Sequence, residues 1–171
     1  MRSFQRRLKR TRKGDFELRL PKAERDLLRT LPSQLHEVLP TDDPAVGRLF
    51  PPAYRDDPER SEEYRRLVRD DLLTAHLEAL EVMEATLDAT RLTEDQLASW
   101  LSAVNDLRLV LGTRLDVTEE TYDREIAKDD PDGTAYALYF YLGWLEEQVV
   151  EALALGIDPS GTEPESRSRD G

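Results

Sequence analysis

The sequence predicts a mainly helical protein, a bundle of about five helices with a small β-hairpin packed on it at the N-terminus. Three patterns carry this. Between Leu97 and Val117 apolar residues recur at the helical period, with Leu97, Leu101, Val104, Leu111 and Leu115 on one face. Leu109 and Val110 add apolar surface on the far side, so this helix is expected to be covered nearly all round and to lie at the centre. The third pattern is a period of two at the N-terminus, where Phe4, Arg6 and Leu8, then Phe16, Leu18 and Leu20, alternate with polar residues.

Taken in order, those two alternating runs flank Arg10-Thr11-Arg12-Lys13-Gly14-Asp15, a turn, and read as a hairpin whose apolar face must lie on helices. Pro21 opens a first helix over 21–39, with Leu27, Leu28, Leu31, Leu35, Val38 and Leu39 as its stripe and a kink or brief break at Pro32. Residues 40–60 are punctuated by five prolines and read as a packed crossover anchored by Leu49, Phe50 and Tyr54. A second helix runs from Pro58 or Ser61 to Ala89, its core side formed by Val68, Leu72, Ala75, Ala79, Val82, Met83 and Leu87. Thr93 and Gln96 form a capping box at the start of the central helix, and Gly112 is expected to loosen its last turn. A short helix begins near Thr118. The last helix follows Pro131-Asp132-Gly133 and stops at Gly156, with Leu138, Tyr139, Leu142, Leu145 and Val149 in one stripe and Tyr136, Phe140 and Trp144 in a second row. Residues 1–156 thus read as one helical domain, 1–20 the basic hairpin and 21–156 the helices, and 157–171 as a disordered tail.

The charge is uneven. Residues 1–13 contain Arg2, Arg6, Arg7, Lys9, Arg10, Arg12 and Lys13 and no acid, so the remainder has 17 basic against 36 acidic residues, a net of −19. Such a body repels nucleic acid and attracts basic protein surfaces. The seven basic residues are candidates for nucleic-acid or partner contact. They also read as one solvated face and tip of the hairpin, or as partners of carboxylates on the acidic body. Glu119, Glu120, Asp123, Asp129 and Asp130 form a candidate acidic partner surface.

Catalytic and cofactor chemistry finds little support. There is no cysteine, which removes disulfides, thiol nucleophiles and Cys-containing metal sites. Neither histidine stands in an E-x-x-H or H-E-x-x-H pattern, no glycine-rich phosphate loop exists, and His36 and His76 read as ordinary structural residues. The reading is therefore a non-enzymatic protein with no catalytic residue, cofactor or metal. A helix-turn-helix over Glu94–Leu111 is disfavoured by the unbroken stripe and the missing turn glycine. No apolar run reaches the roughly 18–20 residues of a membrane span, and the N-terminus has no apolar signal region, so a cytoplasmic protein is expected. One constellation does make a specific demand. Arg108 and Glu146 each interrupt an apolar stripe, on helices expected to pack together, and are expected to form a buried or half-buried pair that fixes register, with Glu147 or Asp71 as substitute partners.

Several stretches together resemble one family. Arg48-Leu49-Phe50-Pro51-Pro52-Ala53-Tyr54, Asp57-Pro58-Glu59 and Glu63-Tyr64-Arg65-Arg66-Leu67 match its first half. Asn105 to Leu115 is the most specific segment, and Tyr141-Leu142-Gly143-Trp144-Leu145-Glu146-Glu147 through Leu153 completes it. The chain is similar to the actinobacterial AosR family, long catalogued as a domain of unknown function. The resemblance implies a cytoplasmic helical protein, some of whose relatives are oxidative-stress transcriptional regulators working with a stress sigma factor. It also implies a cysteine pair that senses oxidation, which this chain lacks. Two readings follow. One is a transcription-associated regulator that binds a sigma factor or RNA polymerase through its acidic face, with DNA reached only by the basic arm. The other is an interaction or adaptor module without nucleic-acid contact, its oligomeric state open.

Overall fold

A computed structural model describes residues 5–50 and 56–155. Arg2, Tyr54, the helix stop at Gly156 and the tail 157–171 lie outside the described residues. The N-terminal segment forms β1 (Leu8–Arg10) and β2 (Phe16–Leu18), antiparallel, with Leu8 opposite Leu18 and Arg10 opposite Phe16. Gly14 closes their loop at φ +91°, a backbone state that costs glycine little. The expected hairpin is in fact two-thirds of a sheet. β3 (Arg91–Leu92) pairs with the other edge of β2, placing Leu92 opposite Phe16 and Arg91 opposite Glu17. A two-residue strand is too short to show a period, which is why the alternation test missed it. Leu8, Phe16, Leu18 and Leu92 are buried on the inner face, while Lys9, Glu17 and Arg91 run across the outer one.

The first helical stripe is two helices, α1 (Lys22–Arg29) and α2 (Leu31–Val38), broken at Thr30. Pro32 has no N–H to offer the carbonyl of Leu28, and the break follows. Leu28, Leu35 and Leu39 still bury on one side. The crossover contains a 3₁₀ helix, Pro44–Leu49, capped by Asp43, which accepts from the Ala45 N–H at 2.8 Å. Its Ala45, Val46 and Leu49, with Phe50, are buried and pack towards the central helix.

α3 (Pro58–Thr86) is about 43 Å long. Its expected core stripe needs correction: Ala79, Leu80, Met83 and Leu87 are buried, but Leu72 and Ala75 are exposed and Leu67 is 74% exposed. The apolar face continues past the part of the helix that the rest of the fold covers. The central helix, α4 (Glu94–Arg114), opens on the capping box, with Gln96 N–H donating to Thr93 Oγ1 at 3.1 Å and Thr93 N–H to Gln96 Oε1 at 3.0 Å. It is continuous through Asn105, so no helix-turn-helix exists there. Its deepest residues are Leu97, Trp100, Ala103 and Val104, while Leu101, Leu111 and Leu115 lie at the boundary. The end is a left-handed cap. Asp116, at φ 51°, turns the chain so that the Val117 N–H reaches the Gly112 carbonyl at 2.9 Å.

α5 (Glu119–Asp123) and α6 (Gly133–Ala154) complete the fold, and α6 lies along α4. Tyr139, Leu142, Leu145, Val149 and Ala152 are its buried face. Gly112 does not loosen α4; it admits α6. A Cβ added there would stand 2.8 Å from Tyr139 Cε2, inside any normal contact. The Tyr139 ring is held in place, because its hydroxyl shares a 2.8 Å hydrogen bond with that of Tyr122. Gly112→Ala is therefore expected to destabilise the protein by about 1–3 kcal/mol despite its better helix propensity. Urea unfolding measures this, and an unchanged midpoint would refute the close approach.

Candidate interaction surfaces and the central charge pairs

Three of the six described basic residues in the N-terminal segment, Arg6, Arg7 and Arg10, are engaged by the fold. Arg7 donates to both carboxylate oxygens of Glu24, from Nε at 3.0 Å and from its terminal nitrogen at 2.6 Å, and the Tyr141 hydroxyl donates to the same carboxylate at 2.9 Å. Burial pushes the Glu24 carboxyl up, but the hydrogen bonds from Arg7 and Tyr141 and the Arg7 charge outweigh it and leave the group below its ordinary value. Burial also raises the Tyr141 hydroxyl far above its usual range, so it stays a donor. The Arg7 guanidinium lies 5.3 Å from the Trp144 ring centroid. Arg6 meets Glu151 at 2.7 Å, and Arg10 sits over the Phe16 ring at 5.8 Å with one terminal nitrogen buried and without a hydrogen bond. Lys9, Arg12 and Lys13 are exposed on the outer face and the tip. Even on that face the charges alternate: the hydrogen bond from Arg19, then its charge and those of Lys9 and Arg91, hold Glu17 low.

The acidic block is likewise divided. Glu119, Glu120, Asp123 and Asp129 face solvent on and beyond α5. Asp130 does not belong with them. It pairs with Arg124 at 3.3 Å and accepts from the Asp132 N–H at 2.9 Å, so it shapes the turn into α6.

Arg108 and Glu146 stand side by side, Arg108 Nε 2.7 Å from Glu146 Oε2, with side chains 29% and 19% exposed. The Nε–H is not aligned on that oxygen, so the contact is an ion pair rather than a directed hydrogen bond. Asp71, named as a substitute partner, is exposed on α3; Glu147 lies beside the pair on α6. The pair forms one wall of an open groove of about 590 Å³, lined also by Tyr122, Tyr139, Phe140, Gly143, Trp144 and Glu147. Tyr122, Tyr139 and Phe140 pack edge to face around one another, with centroids 5.6–6.3 Å apart. The second aromatic row of α6 was legible in the sequence. That Tyr122 of α5 joins it was not, since nothing local couples the two segments.

Sequence reasoning passed over Asp106, whose side chain is only 4% exposed. Its Oδ2 lies 2.6 Å from Nδ1 of His76, whose Nε2 lies 3.3 Å from the Leu49 carbonyl oxygen. Two acceptors face the two ring nitrogens, so only the doubly protonated ring donates to both. The Asp106 hydrogen bond accordingly raises the His76 pKa, against burial, which lowers it, with the Asp106 charge and the Leu49 carbonyl adding to the rise. Phe50 closes the site edge-on at 5.5 Å. Among the described residues no three His, Asp or Glu side chains gather as metal ligands, and no helix is long and apolar enough to cross a membrane.

This is an acidic helical protein whose prominent features are surfaces and charge pairs. The family described as a domain of unknown function (DUF2017) matches residues 1–153, and the chain belongs to it. Among curated proteins the chain is 30% identical over 128 residues to the oxidative stress regulator AosR of Mycobacterium tuberculosis, covering 65% of this chain and 58% of the relative. The same figures hold for the AosR of Mycobacterium bovis. A Mycobacterium leprae protein given the same name provisionally is 30% identical over 129 residues, 66% of this chain and 59% of that one. The chain thus spans less than two thirds of the length of these relatives. No solved structure matches it.

Two outcomes follow from the charge pairs. A raised His76 pKa means protonation favours the folded state. That stabilisation is fully present below the ordinary value of 6.5 and is lost as pH rises through the elevated folded value. The urea midpoint is expected to fall between pH 6 and pH 9, and Asp106→Asn to flatten that fall; an equally steep fall in the variant would refute the assignment. Arg108→Met leaves Glu146 half-buried without its counter-charge and is expected to lose about 1–3 kcal/mol by the same assay, parental stability being the contrary result.

Proposed function

We propose that the protein is a transcription-associated regulator that acts by binding a basic protein surface, a sigma factor or RNA polymerase, and that it does so without sensing oxidation itself. The observation that carries this is the disposition of charge. Arg6, Arg7 and Arg10 are engaged by Glu151, Glu24 and Phe16, whereas the body they are tied to has a net charge of −19. A phosphate backbone would have to compete with the Glu24 carboxylate for Arg7 and would then meet a repelling body. The names of the mycobacterial relatives support a regulatory role. Thiol chemistry has no place in it, because the chain has no cysteine. The oxidative signal then reaches the protein through its partner or its abundance.

An adaptor without any nucleic-acid contact is the second reading, favoured by the same spent arginines. Contact through Lys9, Arg12 and Lys13 separates the two. Affinity purification of the tagged full chain from its native cells is expected to recover a sigma factor or polymerase subunits. DNA affinity is expected to be weak and unchanged by Lys9→Gln, Arg12→Gln and Lys13→Gln together. Recovery of neither transcription protein would sink the first reading, and DNA binding that falls steeply with salt and vanishes in the triple variant would restore the basic arm to a direct role.

A further inference from the structure

We propose that the groove over Gly143 receives an arginine side chain presented by a basic segment of a protein partner. The proposal rests on the partner-binding reading for the class of partner, and on the groove itself for the rest.

Gly143 is the first argument. Glycine in the middle of a helix costs stability relative to alanine. At Gly112 close packing accounts for that cost, since a Cβ would collide with Tyr139. At Gly143 it does not: an added Cβ would meet nothing nearer than Arg108 Cδ at 3.8 Å, an ordinary contact. What the missing side chain provides is depth. It lowers the floor of the groove about one turn from Glu147 and beside Phe140 and Trp144 on the solvent side of α6.

The lining then selects the occupant. Tyr122 and Phe140 present aromatic surface, while the Trp144 ring already meets the Arg7 guanidinium, and Glu147 has no ion pair or hydrogen bond among the described residues. Aromatic walls and an uncompensated carboxylate favour a cation with a flat apolar face, which describes a guanidinium. An anion is disfavoured, because Glu146 already answers Arg108 and Arg6 already answers Glu151, which leaves Glu147 as the uncompensated charge of the lining. A purely apolar segment would bury Glu147 unpaired. The groove volume of about 590 Å³ exceeds one side chain and leaves room for the residues that flank it. The negative body supplies long-range attraction for such a segment.

The test uses the full chain and a short fluorescein-labelled peptide of alternating arginine and leucine, with citrulline replacing arginine in the control peptide. Fluorescence anisotropy is expected to show binding of the arginine peptide and affinity weaker by about tenfold or more for the citrulline peptide. Gly143→Leu, which fills the floor, and Glu147→Gln, which removes the charge, are each expected to weaken the arginine peptide by about three- to tenfold with unfolding midpoints no lower than the parent's. Equal affinity for both peptides, or parental affinity in both variants, overturns the proposal. So does tighter peptide binding in the full chain bearing Arg167→Gln and Arg169→Gln, which would make the chain's own C-terminal arginines the occupant. Undiminished capture of a sigma factor or polymerase by Gly143→Leu would overturn the groove and leave the partner reading standing.

Discussion

A helix covered on most of its circumference can carry a charge in its covered part only where a neighbour answers it, and the covered middle of α4 carries two. Asp106 and Arg108 leave the helix on opposite sides of one turn, as two residues at about 100° each require. Asp106 reaches His76 on α3, and Arg108 reaches Glu146 on α6. Each contact leaves the partner helix one favourable register, since a slide of one residue would strand a desolvated charge. The apolar residues around them supply the driving force, and Leu97, Trp100 and Val104 would bury almost as well in several arrangements. The ions choose among these. Trp100 repeats the logic with a neutral group, its buried N–H donating to Thr86 Oγ1 at 2.7 Å at the end of α3.

The N-terminal segment shows the same economy at the surface. Arg6 and Arg7 look in sequence like part of an arm for an anion, and in three dimensions their anions are Glu151 and Glu24. Glu24 gathers Arg7 and Tyr141, so sheet, α1 and α6 meet at one carboxylate. The segment therefore presents outward only part of the positive charge its first thirteen residues suggest, on Lys9, Arg12 and Lys13.

How much of this was legible beforehand depends on the range of the interaction. Periodicity located α3, α4 and α6, and local chemistry located the cap at Thr93 and the break near Pro32. The Arg108–Glu146 neighbourhood was legible because each charge interrupts an apolar stripe. Asp106 was not, because it lies off the stripe and its partner, His76, is thirty residues away. Tyr122 over Phe140, and β3 beside β2, escaped for the same reason: a five-residue helix and a two-residue strand have no period to read. The sequence pattern misled outright in the first half of α3, where leucines at helical spacing face water, and at Gly112, where a glycine taken for slack is a point of closest approach.

The borrowed third strand also sets an order in time. β2 pairs with a segment 76 residues further along the chain, Phe16 with Leu92, so the sheet is not a local unit despite its place at the start. A ribosome adding about 5–20 residues per second would expose the first two strands for roughly 4–15 s before Leu92 is made. During that interval Phe16 and Leu18 have neither their third strand nor α4 to cover them, and a two-stranded ribbon holds itself together only marginally. β1 and β2, made well before β3, are among the last parts that can reach their final form, and the α3–α4 turn that delivers β3 is the event they wait for.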